Sequence, residues 1–215
     1  MLAKRGKNRM TPKSDKRSEH YFAEQPKSKP RLGLLHVHLH GRSFQFMTAS
    51  GVFSKRRLDL GTQLLIESMV LPKGGYVLDI GCGYGAVGTV AASLCPDLYV
   101  VMVDVNRRAA WLAKQNLEIN CVSNAEVRCG YLYEPVKEMQ FKCVLSNPPV
   151  SAGMNVVRAL ICEASSHMEA KSTLQMVVRS KIAGRRLLSF FEEAFGNVSV
   201  LARKSGYRVL IAEKT

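Results

Sequence analysis

Two short segments carry residue types whose order and spacing could do chemistry. In Val77-Leu78-Asp79-Ile80-Gly81-Cys82-Gly83-Tyr84-Gly85-Ala86-Val87-Gly88 an apolar run enters alternating glycines and leaves as a helix. That form lets backbone approach a ligand where side chains would obstruct it, and the helix N-terminus aims N–H donors at the same place. Asp104 follows about 20 residues on, at the end of the next apolar run, where a carboxylate can accept both ribose hydroxyls of an adenosine. Alternating glycines with a correctly spaced acid exceed what a tight turn alone requires. The second segment, Leu145-Ser146-Asn147-Pro148-Pro149-Val150, sets two prolines beside an amide. The prolines fix a rigid loop without N–H donors, so carbonyls can point into a site next to the Asn147 side chain.

Gly83-x-Gly85-x-x-Gly88 satisfies the dinucleotide fingerprint in form, which keeps an NAD-type oxidoreductase in view. The acid-bearing turn Asp79–Gly85 instead resembles motif I of the class I S-adenosylmethionine-dependent methyltransferases. The Asn-Pro-Pro segment decides between them, because hydride transfer has no use for it. An exocyclic amine on a nucleobase is a weak nucleophile, its lone pair being delocalised into the ring. If Asn147 Oδ1 and the Pro148 carbonyl accept the two amine hydrogens, the nitrogen moves toward tetrahedral geometry and its lone pair is aimed at a sulfonium methyl. In-line attack then needs positioning more than a strong base.

The surroundings of both motifs are similar to the small-subunit ribosomal RNA guanine-N2 methyltransferases and their single-domain relatives. The resemblance rests on Gly51-Val52-Phe53-Ser54 with Asp59-x-Gly61-Thr62-Gln63-Leu64-Leu65, then Val77–Gly85, Asp104, Ser146-Asn147-Pro148-Pro149 and Gly206-Tyr207-Arg208. It runs from about Glu19 to the C-terminus. It implies a Rossmann-like, seven-stranded, mostly parallel sheet with a C-terminal antiparallel strand, and S-adenosylmethionine as cofactor. Asp79, Gly81, Cys82, Gly83, Gly85 and Val105 would hold the methionine and adenosine portions, Asp104 the ribose, and Thr62 would line the same pocket. Asn147, with Pro148 and Pro149, would hold the target amine.

Two positions depart from that pattern. Related enzymes usually place Asp or Asn against the adenine amino group after the third strand, whereas here Gly130 is followed by Tyr131, which either stacks on adenine or offers its hydroxyl. Many Asn-Pro-Pro enzymes carry an aromatic next, to stack on a flipped base. Val150 stands there in this chain, so stacking falls to Phe53 or Tyr84.

The elements that must position these residues are legible from periodicity. Leu34–His40 and Ser43–Met47 flank Gly41-Arg42 and predict a β-hairpin, with His36, His38 and His40 on one strand face. No Cys or carboxylate lies nearby, so the stripe reads as the wet face of a half-buried strand and no metal site is expected. Asp59 is an N-cap for a helix carrying Leu64, Leu65, Ser68 and Met69, which Pro72-Lys73-Gly74-Gly75 ends. Strands are expected at Tyr76–Ile80, Tyr99–Val103, Ala125–Cys129, Lys142–Leu145 and Thr173–Val178. Helices are expected at Gly85–Leu94, after an Asn106 cap, at Asn155–Met168 and at Arg185–Phe195. That alternation gives a parallel sheet covered on both faces. Asn197–Ala202 and Tyr207–Glu213, joined by Lys204-Ser205-Gly206, predict a terminal hairpin that adds one antiparallel strand.

The charge balance points to the partner. Lys+Arg number 31 against 17 Asp+Glu, a formal +14, and residues 1–31 carry ten cations against Asp15, Glu19 and Glu24, half the excess. Polyanions are the natural partners, and RNA is favoured over a membrane surface because the basic stretch has no amphipathic apolar face. Lys55, Arg56 and Arg57, beside Phe53, are expected to contact substrate. The division expected is a basic tail over 1–18, an extension with the hairpin over 19–56, and a methyltransferase domain over 57–215. Cys82, Cys95, Cys121, Cys129, Cys143 and Cys162 form no C-x-x-C pair and mostly fall in stretches that read as core, as expected of reduced thiols in the cytoplasm. No stretch reaches the roughly 18 uninterrupted apolar residues of a membrane span, and collagen-like or acidic disordered chains are excluded. The function expected is methyl transfer to an exocyclic amine of RNA, guanine N2 of ribosomal RNA foremost. A protein glutamine amide as acceptor, and a non-catalytic RNA-binding module supported only by Tyr131, are the alternatives.

Overall fold

The computed structural model describes residues 31–54, 57–148, 153–182 and 184–215. The tail over 1–18, the segment 19–30, and the site residues Lys55, Arg56 and Pro149 lie outside the described residues.

The chain begins with two paired strands, β1 (Leu32–Leu39) and β2 (Arg42–Ala49), followed by α1 (Leu60–Ser68). Then β3 (Gly75–Ile80), α2 (Ala86–Leu94), β4 (Leu98–Asp104), α3 (Arg107–Ile119), β5 (Ala125–Cys129) and β6 (Phe141–Ser146) alternate strand and helix. The order ends with α4 (Met154–Ala164), β7 (Met168–Arg179), α5 (Arg185–Phe195), β8 (Ser199–Lys204) and β9 (Tyr207–Glu213). One seven-stranded sheet results, in the order β5-β4-β3-β6-β7-β9-β8. Strands β3 to β7 are parallel, and β9 runs antiparallel between β7 and β8. This is the architecture expected from the sequence, including the single reversed strand.

The central strands are continuous apolar runs because both their faces are covered. Val77, Val100, Met102, Leu145, Val177 and Val209 face α1, α2 and α3, while Leu78, Ile80, Val101, Val103, Val144 and Leu210 face α4 and α5. The period of two along each strand divides the apolar set between two cores. All parallel strands end on one edge, and the loops after β3, β4 and β6 meet there.

The N-terminal hairpin shares the first of these cores through Leu39, Phe44, Phe46 and Ala49. Its turn is His40-Gly41, both residues at positive φ (50° and 73°), the twist that a two-residue hairpin loop needs. The free edge of β2 is closed by two amides, Asn116 of α3 and its C-cap Asn120. Asn116 Oδ1 accepts from Met47 N at 2.6 Å and its Nδ2 donates to Met47 O at 3.0 Å, while Asn120 repeats the exchange with Gln45 N (3.0 Å) and Gln45 O (2.8 Å). Each asparagine stands in for one residue of a neighbouring strand, so the hairpin's edge hydrogen bonds are satisfied without a strand.

Three expectations need correction. His40 sits in the turn rather than on the strand face, with Nε2 2.8 Å from Ile66 O, so the histidine stripe has two members, His36 and His38. Of the six cysteines only Cys82 and Cys143 are buried, and Cys121 and Cys129 are exposed. The helix expected over Asn155–Met168 ends at Ala164, passes through a 3-10 turn at Ser165–His167, and gives Met168 to β7, because the side chain of Met168 is fully buried in the core beside Phe141. Among the described residues no helix is long and apolar enough to cross a membrane, and no His, Cys, Asp or Glu cluster could hold a metal.

Candidate functional site

At the C-terminal edge of the sheet a cavity of about 620 Å³ opens over the β3–α2 loop, of the size that holds small ligands. Its floor is the glycine turn. Gly81 N and Cys82 N both donate to Val103 O (2.8 and 3.0 Å), which ties the turn to the end of β4. Gly83 has φ +58°, and a Cβ built on it meets nothing within 4 Å, so the turn leaves its space to the cavity. Gly88 has the opposite reason to be glycine: any Cβ there would strike the Met102 side chain, and its N–H donates to Asp79 Oδ2 at 2.8 Å.

Two carboxylates stand behind this turn. Asp79 is 1% exposed, and burial pushes its carboxyl up to about 7, against the pull of the Gly88 N–H, with the Asp104 charge adding to the rise. Asp104 accepts from Gly83 N through Oδ2 and from Asn106 N through Oδ1, both at 2.8 Å. Burial raises its pKa, and those two N–H donors oppose the rise. Burial, together with the charges of Asp104 and Asp79, drives the Cys82 thiol well above its usual range, so it faces the cavity as a neutral group. Asn106 also caps α3 through Arg108 N and Ala109 N, and its Nδ2 donates to Gly51 O at 3.2 Å. Arg108 Nη1 donates to Ser50 O at 2.7 Å, so the start of α3 anchors the loop that carries Phe53.

The opposite wall is built from distant parts of the chain. Ser146 Oγ donates to Ile80 O at 2.9 Å, which fixes the end of β6 beside the residue that enters the glycine turn. Asn147 follows at once. Its Nδ2 donates to Thr62 Oγ1 at 2.9 Å and to Asp59 Oδ2 at 3.2 Å. A carboxylate only accepts, so the NH₂ group must face Asp59 and the amide cannot be the other way round. Among the described residues none donates to Asn147 Oδ1, which is left for the cavity. Asp59 itself accepts from Gly61 N (2.8 Å) and Thr62 N (3.1 Å) as the cap of α1, and from the Tyr207 hydroxyl (3.4 Å) through its other oxygen. The Tyr207 ring lies so close to Gly61 that a Cβ there would come within 2.8 Å of it. The Arg179 guanidinium sits 5.7 Å from the centre of the same ring.

The cavity therefore brings together Thr62, Asp79, Gly81, Cys82, Gly83, Asp104, Val105, Tyr131, Asn147, Pro148 and Phe53, all singled out in the sequence. Gly85 is not in the lining. It is the residue before α2 at φ +85°, and a Cβ on it would come within 2.9 Å of Ala113 Cβ, so its backbone serves packing. Arg57 is exposed and outside the lining, its carbonyl accepting from Ser54 Oγ. Both aromatics considered for stacking are in the lining, but Phe53 is 49% exposed whereas Tyr84 is 4% exposed and packs against Phe46 at 5.8 Å between ring centres. Tyr131 is 43% exposed on the lining, and Gly130 before it is required because a Cβ there would strike Pro135. Sequence reasoning missed Arg179, read Asp59 and Asn106 only as caps, and met Tyr207 only as part of a resemblance. The caps were visible, but nothing in the sequence showed which side chain would share them.

Comparison with known proteins places this geometry. Residues 43–211 match the family described as Methyltransferase small domain. The uncharacterised protein YbxB of Bacillus subtilis is 38% identical over 199 residues, which cover 92% of this chain and 99% of that protein. Ribosomal RNA small subunit methyltransferase C of Hamiltonella defensa is 33% identical over 172 residues, covering 78% of this chain and 50% of the relative. The chain thus spans about half the length of the curated ribosomal RNA methyltransferases it matches. In fold it is similar to the T. thermophilus 16S rRNA N2 G1207 methyltransferase solved with AdoMet and guanosine, with a TM-score of 0.76 at 24% identity over 88% of this chain and 52% of that one. With the family match spanning most of the chain and the sheet order, reversed strand and glycine turn in agreement with it, this protein belongs to the methyltransferase small domain family and has the Rossmann-like fold of class I methyltransferases.

Proposed function

We propose that this protein transfers a methyl group from S-adenosylmethionine to an exocyclic amine of RNA, guanine N2 of ribosomal RNA foremost. The observation that carries the reading is the amide of Asn147 in the cavity lining, locked by Asp59 and Thr62, with an oxygen to which none of the described residues donates.

The residues present fit the cofactor. Gly83 leaves open space over backbone beside Gly81 in the lining, Asp104 offers acceptors for ribose hydroxyls, and the apolar residues Val87, Val105 and Leu132 suit an adenine ring, with Tyr131 in the same lining. Bound there, S-adenosylmethionine supplies an electrophilic sulfonium methyl. The remaining chemistry falls to the chain. Asn147 Oδ1 and the Pro148 carbonyl accept the two hydrogens of the substrate amine, drawing its lone pair out of conjugation and fixing its direction. Asp59 and Thr62 keep the amide from rotating, so the acceptor is in place before substrate arrives. Phe53, exposed at the mouth, offers a face on which an unstacked base can lie. Among the described residues no group near Asn147 is a strong base, as expected when the amine needs orientation for attack and the methylated nitrogen sheds its proton to water afterwards, S-adenosylhomocysteine being the leaving group.

The ribosomal RNA relatives and the net charge of +14 support RNA as the acceptor. The test is incubation of purified protein with labelled S-adenosylmethionine and deproteinised 16S ribosomal RNA, followed by nuclease digestion and mass spectrometry of the nucleosides. Label in N2-methylguanosine is expected. Label recovered only in a protein fraction added in parallel would replace RNA by a protein amide as the acceptor.

A further inference from the structure

The C-terminal edge of the molecule carries charge that the fold itself does not need. Residues 179–186 and 203–208 contribute Arg179, Lys181, Arg185, Arg186, Arg203, Lys204 and Arg208, and neither segment contains Asp or Glu. The two segments are adjacent: Arg179 pairs with Tyr207 at the end of β7 and the start of β9, and Ser180 N donates to Gly206 O at 2.8 Å. They also border the cavity, since Arg179, Ile182 and Tyr207 are in its lining.

The placement of these cations works against stability. Arg185 and Arg186 occupy the first turn of α5, which has no acidic residue there and no side-chain cap. Positive charge at that end opposes the helix dipole. Arg203 and Arg208 are direct cross-strand partners of β8 and β9, an arrangement that like charges destabilise. Lys204 pairs with Glu67 at 3.0 Å; among the described residues no carboxylate forms an ion pair with the other six. Arg179, Lys181, Arg185, Arg186 and Arg203 are exposed. Two independent like-charge conflicts in one exposed patch beside the cavity are relieved together by a polyanion.

We infer that this rim, formed by the end of β7, the first turn of α5 and the tip of the β8–β9 hairpin, docks the phosphate backbone of the RNA next to the target nucleotide. The inference rests on the RNA reading above and locates the docking surface within the folded domain rather than in the N-terminal basic segment alone. Arg179, stacked on Tyr207 within the lining, is the cation placed to meet the phosphate nearest the flipped base.

The test uses the full chain carrying K181E/R185E/R186E/R203E, none of which lines the cavity. Glutamates in the first turn of α5 favour its dipole, so the variant is expected to fold, and an unchanged Kd for S-adenosylmethionine by calorimetry confirms it. A second variant, K73E/K114E/K137E/K171E, makes the same charge change at exposed lysines off the rim. Affinity for a fluorescent single-stranded 20-nucleotide RNA and for 16S ribosomal RNA is measured against salt by anisotropy. The rim variant is expected to lose about 100-fold in affinity at low salt, and its log–log salt slope is expected to flatten by about 2–3. The off-rim variant should shift the slope by less than about 1. Wild type and rim variant binding RNA with the same slope would overturn the rim and leave the RNA reading standing, as would equal losses in both variants. A wild-type chain that binds neither RNA would remove the RNA reading and the rim with it.

Discussion

The two walls of the cavity are assembled over different distances along the chain. On the glycine side the contacts are nearly local: Gly88 N to Asp79 spans nine residues, Asn106 N to Asp104 two, and Gly83 N to Asp104 twenty-one. Most of the donors are backbone N–H groups, so the wall follows once strand, turn and helix have formed. On the Asn147 side the contacts that hold the amide join side chains far apart, 85 residues to Thr62 and 88 to Asp59, with 148 between Asp59 and Tyr207, although Asp59 also accepts locally from Gly61 N and Thr62 N. The first wall is set by local backbone conformation and the second by tertiary packing. A change in the first should alter what binds, and a change in the second should alter how well what is bound reacts.

Asn147→Ala gives the largest separation of the two. Removing an aligned acceptor from a site that works by positioning costs about 100–1,000-fold in kcat, while the Kd of S-adenosylmethionine should stay within about twofold. Single-turnover methylation with parallel calorimetry checks both. A rate equal to wild type would mean that the amide touches no reacting group.

Asp104→Ala strikes the other wall. Its carboxylate organises Gly83 N and Asn106 N and is the proposed acceptor for ribose, so cofactor affinity should fall about 10–100-fold. Much of the rate should return at saturating cofactor. If kcat falls as far as KM rises, the glycine wall also shapes the reacting geometry and the division between the walls fails.

Thr62→Val is the sharper and smaller test, because Thr62 was expected to line the cofactor pocket and also holds Asn147. Valine keeps the shape and removes only the Oγ1 acceptor at 2.9 Å. A positioning role predicts a kcat loss of about 5–10-fold with unaltered cofactor affinity, since the net value of one hydrogen bond is about 1 kcal/mol. A change confined to cofactor KM would return Thr62 to the other wall.

This contrast also explains what was legible in the sequence. The glycine turn, Asp104 and most element boundaries could be read because apolar runs, glycines and caps are local signals, and the Arg185–Phe195 and Tyr207–Glu213 elements fall where their periodicity put them. Asn147 was recognisable through its prolines. Its partners were not, because Asp59 reads as an ordinary cap and only folding shows that the capping oxygen is shared with an amide 88 residues away. How much of Tyr84 the cavity would see was not legible for a related reason: it lies in the glycine turn and in the lining, yet Phe46 of the hairpin packs against it and leaves it 4% exposed. The stop of α4 at Ala164 was missed because Met168 continues an apolar pattern that serves a strand instead.

The smallest effect concerns pH and the glycine wall alone. Asp79 has a folded pKa raised from 3.8 to about 7, chiefly by burial, so between those values the native state holds a proton that the unfolded chain has lost. Stability therefore declines as pH rises from about 4 to about 7, and the penalty is fully present above that. S-adenosylmethionine carries net positive charge, and a cation bound over the turn favours the ionised carboxylate. Binding should release a proton below pH 7 and none well above it, so affinity should climb a few-fold from pH 6 to 7 and level off by pH 8. Calorimetry in two buffers of different ionisation enthalpy reads the proton directly. Asp79→Asn should abolish both the release and the pH dependence, while the carboxamide oxygen still accepts from Gly88 N. Identical proton release in the variant would assign the titration to Asp104, whose pKa burial also raises, and would move the electrostatic centre of this wall from the strand end behind the turn to the one beside it.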